Sequence, residues 1–181
     1  GKWTGTGFNY QLWHQRRDRP PRVYFNQSDI SSVSVPTRLE YLKSAREGLA
    51  EGGLLFLEVY GGQEAMEELE EERELEGFTY VWEQEWFDPL THETLCHIHF
   101  RFPDGSEMKE AFTYSWRWWS VPELRELCME AGFADAKVYW ETMEEDPDDP
   151  DELEGTGEYE DVTDTRQENQ ESWLAYVVGV K

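Results

Sequence analysis

The sequence predicts an α/β protein in which an antiparallel β-meander is inserted into a partly parallel sheet. Two observations indicate this fold class. Between residues 23 and 60, a short apolar run, a helical stretch, a Gly-Gly pair and a second apolar run follow one another, which is the order of a β-α-β unit. Residues 78–117 then alternate between apolar and polar side chains, as antiparallel strands joined by short turns do.

The length and charge of the chain limit what it can be. It has 181 residues, enough for one domain with a hydrophobic core, and aromatic residues make up 15%. Its 40 Asp and Glu against 16 Lys and Arg give a formal net charge of -24. A charge this negative repels phosphate groups, so nucleic acid and anionic membranes are not expected partners. The longest apolar stretch, Leu54–Tyr60, is too short to cross a bilayer.

Two segments carry much of the acidity. Residues 63–77 contain eight Glu and one Arg, and residues 141–164 contain thirteen acidic residues and no Lys or Arg. An acidic surface poor in lysine suits a high-salt cytoplasm, but a solvated helix face plus an acidic loop explains the same composition. The two cysteines, Cys96 and Cys128, lack metal or redox spacing, so a reducing, cytoplasmic setting is expected.

The first half of the chain supplies the β-α-β unit. We interpret residues 1–22 as an irregular N-terminal segment and residues 23–181 as one α/β domain. Val23–Asn26 reads as a strand, and Pro36 opens a helix that ends before Gly52-Gly53. The nearly continuous apolar run that follows is typical of a strand buried on both faces.

The next elements follow from their periodicity. Glu64–Leu75 is predicted as a Glu-rich surface helix, and residues 78–117 as the three-stranded meander. Ser120, with Glu123 three residues later, marks the start of a helix that Gly132 ends. Residues 141–165 are predicted as an acidic loop, and the apolar run at 173–180 as a final, central strand.

Four local patterns, in the same order along residues 23–180, are similar to one protein family. They are Gly52-Gly53 before an apolar strand, the turn Tyr60-Gly61-Gly62, the stretch Arg117–Leu124 with Ala131-Gly132-Phe133 after it, and the closing strand Trp173–Val178. Together they resemble the C-terminal half of class I S-adenosylmethionine (SAM)-dependent methyltransferases. The resemblance implies a partial Rossmann-like sheet whose last strand runs antiparallel between the family's fifth and sixth strands. It also implies that residues 78–117 form an inserted lid.

One part of the family pattern is missing. The Gly-x-Gly-x-Gly turn after the first strand and the acid that ends the second strand have no counterpart, since Gly5-Thr6-Gly7 has too few residues before it for a strand. The sequence therefore predicts a chain truncated or replaced upstream of about Val23. We expect weak or absent SAM binding by this chain alone, and self-association through the exposed sheet edge at Val23–Asn26.

The site residues are predicted from the resemblance and from the strand ends, because open α/β sheets bind ligands at the carboxyl ends of their strands. Phe25 and Asn26 are the predicted cofactor contacts, although an Asn here could simply cap the strand end. The predicted substrate contacts are Tyr60, Gly61, Trp82, His97, His99, Arg117 and Trp119.

Several of these residues have a plain structural interpretation as well. Arg117 beside Trp118 and Trp119 could hold a substrate carboxylate or simply stack on an indole. His97 and His99 could contact substrate or act as a general base, or they could form the polar face of a strand. No catalytic residue and no metal ligand is predicted.

Two functions follow from this reading. The resemblance implies a SAM-dependent methyltransferase domain that acts on an unknown small molecule. The alternative is a non-catalytic, degenerate methyltransferase-like module whose acidic surface binds a basic partner.

Overall fold

The computed structural model describes residues 23–26, 35–145 and 153–181, which form two α-helices and nine strands in two sheets. The helices are α1 (Val35–Gly48) and α2 (Val121–Glu130). The strands are β1 (Val23–Asn26), β2 (Leu54–Gly61), β3 (Leu69–Leu75), β4 (Phe78–Phe87), β5 (Glu93–Arg101), β6 (Glu107–Arg117), β7 (Asp135–Glu145), β8 (Leu153–Asp161) and β9 (Trp173–Val180). The predicted irregular segment 1–22 lies outside the described residues. No helix in the described ranges is long and apolar enough to span a membrane.

The first sheet, called the central sheet here, has the strand order β1-β2-β9-β7-β8. β1 and β2 are parallel, and β9 runs antiparallel to both β2 and β7. β1, β2 and β7 therefore point the same way, with β9 reversed between β2 and β7. This confirms the predicted place of the closing strand. The other pairs of neighbouring strands in this sheet are antiparallel, so a parallel pair is found only for β1 and β2 among the described strands.

The hydrophobic core lies between one face of the central sheet and the two helices. Leu55, Leu57 and Val59 of β2 point into it, as do Ala175 and Val177 of β9. The alternate residues of β2 are only half-buried, so the prediction of a strand buried on both faces is wrong. The reason is that α1 and α2 contribute their buried side chains to the same core.

The start of α2 is formed as its sequence predicts. The Ser120 hydroxyl accepts a hydrogen bond from the Glu123 backbone N–H, and the Glu123 carboxylate accepts one from the Ser120 N–H at 2.9 Å. This capping box pairs two backbone donors that a helix start otherwise leaves free. The helix ends before Gly132, whose φ is +92°. The capping box fixes the start of α2 and so the position of residues 117–119, which connect β6 to the helix.

The second sheet, called the meander sheet here, has the order β3-β4-β5-β6 and is antiparallel throughout. It contains the predicted meander and one additional strand. The predicted helix Glu64–Leu75 is wrong, because only Glu64–Met66 is helical, as a short 3₁₀ turn, and Leu69–Leu75 is a strand. Gly77, at φ +89°, closes a two-residue turn that aligns Leu75 with Phe78. The backbone of Leu69–Leu75 pairs with β4 in this arrangement.

The prediction of a loop at residues 141–165 is also wrong in large part. β7 continues to Glu145, and β8 pairs with it from Leu153 to Asp161. The Tyr159 ring packs at 4.9 Å from that of Tyr176 in β9, between ring centroids. This ring contact and the hydrogen-bonded ladder with β7 stabilise β8. Neither is visible in the acidic composition of the segment.

Candidate functional site

The carboxyl edge of the central sheet is formed by the ends of β1 and β2. β1 ends at Asn26 and β2 at Gly61, and the first turn of α1 lies near this edge because its Arg38 stacks on Trp119. The Trp118 indole Nε1–H donates a hydrogen bond to the Tyr60 carbonyl at 2.8 Å, next to the end of β2. This bond anchors residues 117–119 beside the strand ends, where open α/β sheets bind ligands.

Three side chains form a stack at this edge, which we call the arginine–tryptophan stack: Arg38, Arg117 and Trp119. The Arg38 guanidinium carbon lies 4.0 Å from a Trp119 ring centroid, and that of Arg117 lies 4.2 Å from one. Trp119 is only 5% exposed, so both cation–π contacts are formed in a largely desolvated place. Arg38 extends from the first turn of α1, and Arg117 is the last residue of β6.

The stack carries more positive charge than its described surroundings neutralise. Glu123 lies 3.5 Å from Arg117, between Oε1 and Nη2, and its other oxygen accepts the N–H and hydroxyl of Ser120. Burial, and then the charge of Arg117, lower the pKa of Arg38 to about 9. Arg38 therefore still carries its charge at pH 7. In the part of the chain that the structure describes, one carboxylate lies within ion-pair distance of these two cations, and it contacts Arg117.

Several donors of the stack have no hydrogen-bond acceptor within the described part of the chain. They are Nε and Nη1 of Arg38, Nε of Arg117 and Nε1 of Trp119, and all four atoms are buried. Arg38 as a whole is only 6% exposed. A buried N–H group without an acceptor costs free energy of folding. The stack can therefore donate hydrogen bonds to a bound group that supplies acceptors.

Tyr60 and Gly61 lie at the end of β2. The Tyr60 phenol oxygen is buried and has no hydrogen-bond partner among the described residues, but the Tyr60 carbonyl and Gly61 contact Trp118 and Trp173. Tyr60 offers its carbonyl to Trp118, and burial raises the pKa of its phenol above the ordinary value, so the phenol stays protonated at neutral pH. Gly61 lies against Trp173, whose ring would be 2.1 Å from a Cβ at this position. The structure gives Gly61 a packing role, and its contact with substrate stays a prediction.

Phe25 and Asn26 are described as part of β1. Phe25 is paired with Phe56 and Asn26 with Leu57. This register places Asn26 at the strand end that the sequence predicts. The assignment of both residues to cofactor binding stays a prediction.

His97 and His99 lie on one face of the meander sheet and are buried, each 6% exposed. His97 contacts Glu85 at 2.9 Å and Thr113 at 3.0 Å. His99 Nδ1 accepts the Glu110 N–H at 2.8 Å, so its other nitrogen carries the proton and donates to Glu83. Among the described residues, no group of three or more His, Cys, Asp or Glu is placed to hold a metal ion. The imidazoles are held by side chains and backbone of their own sheet.

Trp82 lies on the other face of the meander sheet, among aromatic side chains. Its ring is 6.4 Å from Tyr114 and 5.9 Å from Trp116, between centroids. In the described chain, no hydrogen bond or ring contact joins Trp82 or the two histidines to the arginine–tryptophan stack. The structure thus brings Arg117 and Trp119 together and leaves the predicted meander residues elsewhere.

Two features of this region were not predicted from the sequence. Arg38 is one, and the signal for it was present: it occupies the apolar stripe of α1 with Leu42, Ala45 and Leu49, where a leucine would be ordinary. The other is a groove of about 440 Å³ beside the start of α2, lined in part by Trp118, Trp140 and Trp173. Trp140 and Trp173 pack together at 4.4 Å between ring centroids.

Comparisons with known proteins identify the fold. The structure is similar to the CcbJ methyltransferase from Streptomyces caelestis, with a TM-score of 0.56 and 17% sequence identity over 88% of this chain and 61% of that chain. It is similar also to a SAM-dependent methyltransferase from Clostridium acetobutylicum, with a TM-score of 0.53 and 12% identity over 90% of this chain and 59% of that chain. The chain thus has a methyltransferase-like fold. It spans about three fifths of the length of these two proteins.

Comparison of the sequence with models of known protein families and with curated proteins gives no match.

Proposed function

We propose that the protein is a SAM-dependent methyltransferase-type domain that transfers a methyl group to a small molecule. The observation that carries this proposal is the strand order β1-β2-β9-β7 in a methyltransferase-like fold, with the arginine–tryptophan stack at the carboxyl edge. The groove lined by Trp118, Trp140 and Trp173 offers aromatic surface for a small molecule near the same edge.

Methyl transfer needs the acceptor held in line with the methyl group and water kept away. The described side chains fit the requirement that water be kept away, because Trp119 is 5% exposed and Trp118 is fixed by its hydrogen bond to Tyr60. The charged stack fits the first, because guanidinium groups hold an anionic group in a fixed orientation. SAM would supply the electrophilic methyl group. These residues would orient the acceptor and exclude water.

The described residues fit SAM only in part. They include no glycine-rich turn at the end of a parallel strand followed by an acid on the next one. The end of β2 is already covered, since a Cβ at Gly62 would lie 2.2 Å from the Glu171 carbonyl oxygen and Gly61 lies under Trp173. We therefore expect SAM to bind this chain only weakly, and we derive no chemical step through it.

Saturation-transfer NMR with SAM tests the proposal, because the method detects millimolar affinity. We expect saturable signals from the adenine protons, displaced by S-adenosylhomocysteine and not by ATP. Equilibrium dialysis at micromolar SAM should show no retention. Retention at that concentration would contradict the partial fit, since it would require a complete cofactor site.

A second candidate function is a non-catalytic module that binds a basic partner. It is favoured by β3, where residues 70–75 are exposed and four of them are Glu. Two of these, Glu70 and Glu72, pair with Arg101, which leaves the strand less negative than its composition indicates. Absence of any saturable SAM signal in the NMR experiment would contradict the enzymatic proposal and favour this module.

A further inference from the structure

We propose that Arg38 and Arg117 together bind the carboxylate group of the small molecule on which the domain acts. The identity of that molecule as a methyl acceptor rests on the proposed function, but the anion site itself does not. Three features of the stack support an anion site: its unpartnered donors, its charge balance and its position in the fold.

The donors point to a missing acceptor. Four buried nitrogen donors of the stack have no acceptor among the described residues, and two of them belong to Arg38, which is only 6% exposed. A guanidinium presents its N–H groups in a planar fork that matches a carboxylate. Stacking on Trp119 holds both forks by their faces and leaves their edges for hydrogen bonds.

The charge balance selects a monoanion. Among the described residues, the stack has two guanidinium cations and one nearby carboxylate, Glu123, which is shared with the helix cap. One negative charge completes the balance, whereas a phosphate dianion would leave an excess. The chain has a formal net charge of -24, so anions are repelled from most of its surface. A site that attracts an anion in such a chain requires a local arrangement of cations of this kind.

The position agrees with a ligand site. Arg38 lies in the turn of α1 that follows the end of β1, and Arg117 is adjacent to Trp118, which is bonded to the end of β2. Ligands of open α/β sheets bind at this edge. Arg117 is the accessible member of the pair, with 27% of its side chain exposed, and so provides the approach from solvent.

Benzoate, titrated into the chain without SAM, is the probe for this site. We expect a saturable shift of the Trp119 indole N–H signal in ¹⁵N–¹H spectra, assigned with Trp119→Phe. The Trp118 indole is an internal reference, because its N–H is already bonded to Tyr60. Inorganic phosphate should bind more weakly than benzoate. Equal or tighter phosphate binding would overturn the monoanion assignment.

Arg38→Met is the decisive variant, because methionine fills similar space without the charge. We expect benzoate affinity to fall about tenfold or more, as for loss of a charge-assisted contact. The Tm without benzoate should stay unchanged or rise, because a buried, poorly compensated charge is removed. If Arg38 had only a structural role, its replacement by methionine would lower the Tm. If this variant does not fold, Arg38→Lys keeps a charge, loses the fork and should still weaken benzoate binding.

Arg46→Met is the matched control. Arg46 lies on the same helix and also has a buried Nε without a partner among the described residues, but it is eight residues further on, about 12 Å along the axis. Its replacement should leave benzoate binding intact. Equal loss in both variants, or no saturable shift in the native chain, would overturn the proposal. Failure of SAM to bind would contradict the proposed function and leave the anion site standing.

Discussion

A single glycine decides how the end of β2 packs. At Gly61 a Cβ would lie 2.1 Å from the Trp173 ring, and the ring, stacked on Trp140 at 4.4 Å, has little room to withdraw. The sequence places this glycine in a turn after a strand, which is correct, but it does not show the indole that covers it. That contact joins residues far apart in the chain.

Gly61→Ala should therefore lower the stability of the protein. Overpacking of this kind costs about 1–3 kcal/mol, so a clear fall in Tm is expected in thermal unfolding. Gly48→Ala is the control, because a Cβ at Gly48 meets nothing within 4 Å and Gly48 lies in α1. Alanine there should leave the Tm unchanged or raise it slightly. An equal fall for both variants would show that the indole contact is not the cause.

Residues that act on their close neighbours could be predicted, and residues that act at a distance could not. The capping box of α2 is visible in the sequence because Ser120 and Glu123 bond within one turn. Arg117 beside Trp119 is visible for the same reason. Arg38 is 79 positions from Arg117 in the numbering, and the two are brought together only on the Trp119 ring. The sequence therefore indicates an anomaly in the stripe of α1 but not the partner of Arg38.

At the scale of secondary-structure elements, the predictions that failed were those based on amino-acid composition, because strand pairing determines the structure there. β3 and β8 are rich in Glu, and the sequence predicts a surface helix in place of the first and a loop in place of the second. A strand at a sheet edge needs only a backbone partner on one side, so its exposed side chains can be almost entirely acidic. Elements with an apolar pattern, such as α2 and β9, are predicted correctly, because the positions of their apolar residues show that they are buried.

The end of β8 is held to β7 through Thr163 and Asp161. Asp161 accepts the Thr163 N–H at 3.1 Å and its hydroxyl at 2.6 Å, and accepts Lys137 Nζ at 3.1 Å. The Thr163 hydroxyl oxygen in turn accepts the Val138 N–H at 2.9 Å. The hydrogen bonds from Thr163, and then the one from Lys137, lower the pKa of Asp161 from 3.8 to about 2.

This carboxylate should titrate at unusually low pH. A group whose pKa is lowered by folding adds stability above its unfolded pKa, so its contribution should be lost as the pH falls from about 4 towards 2. The side-chain ¹³C signal of Asp161 should give a midpoint near 2. Thr163→Val should raise that midpoint, because the hydroxyl donor is lost, whereas Thr165→Val, two residues on and exposed, should not. A native midpoint near 4 would contradict the assignment.

At the scale of the whole molecule, the place of the closing strand in the sheet can be predicted, but which face of each sheet is buried cannot. The resemblance to methyltransferases placed the closing strand antiparallel between β2 and β7, which the topology confirms. In the meander sheet, His97 and His99 are each 6% exposed, while Phe112 on the aromatic face is 53% exposed. Alternation in a sequence shows that a strand has two faces, but not which of them packs.

The net charge of -24 acts on the molecule as a whole. Like charges at this density favour expansion of the compact state, and salt weakens their repulsion. We expect the Tm to rise by several degrees between low and molar KCl, since about 1 kcal/mol corresponds to about 2–4 °C in a chain of this size. Tetramethylammonium chloride at equal ionic strength should give a similar rise if screening is the cause. A variant with Glu51→Lys, Glu68→Lys and Glu126→Lys, all exposed positions, should start at a higher Tm and respond less. A flat profile for the native chain would contradict the high-salt interpretation and support an ordinary solvated acidic surface.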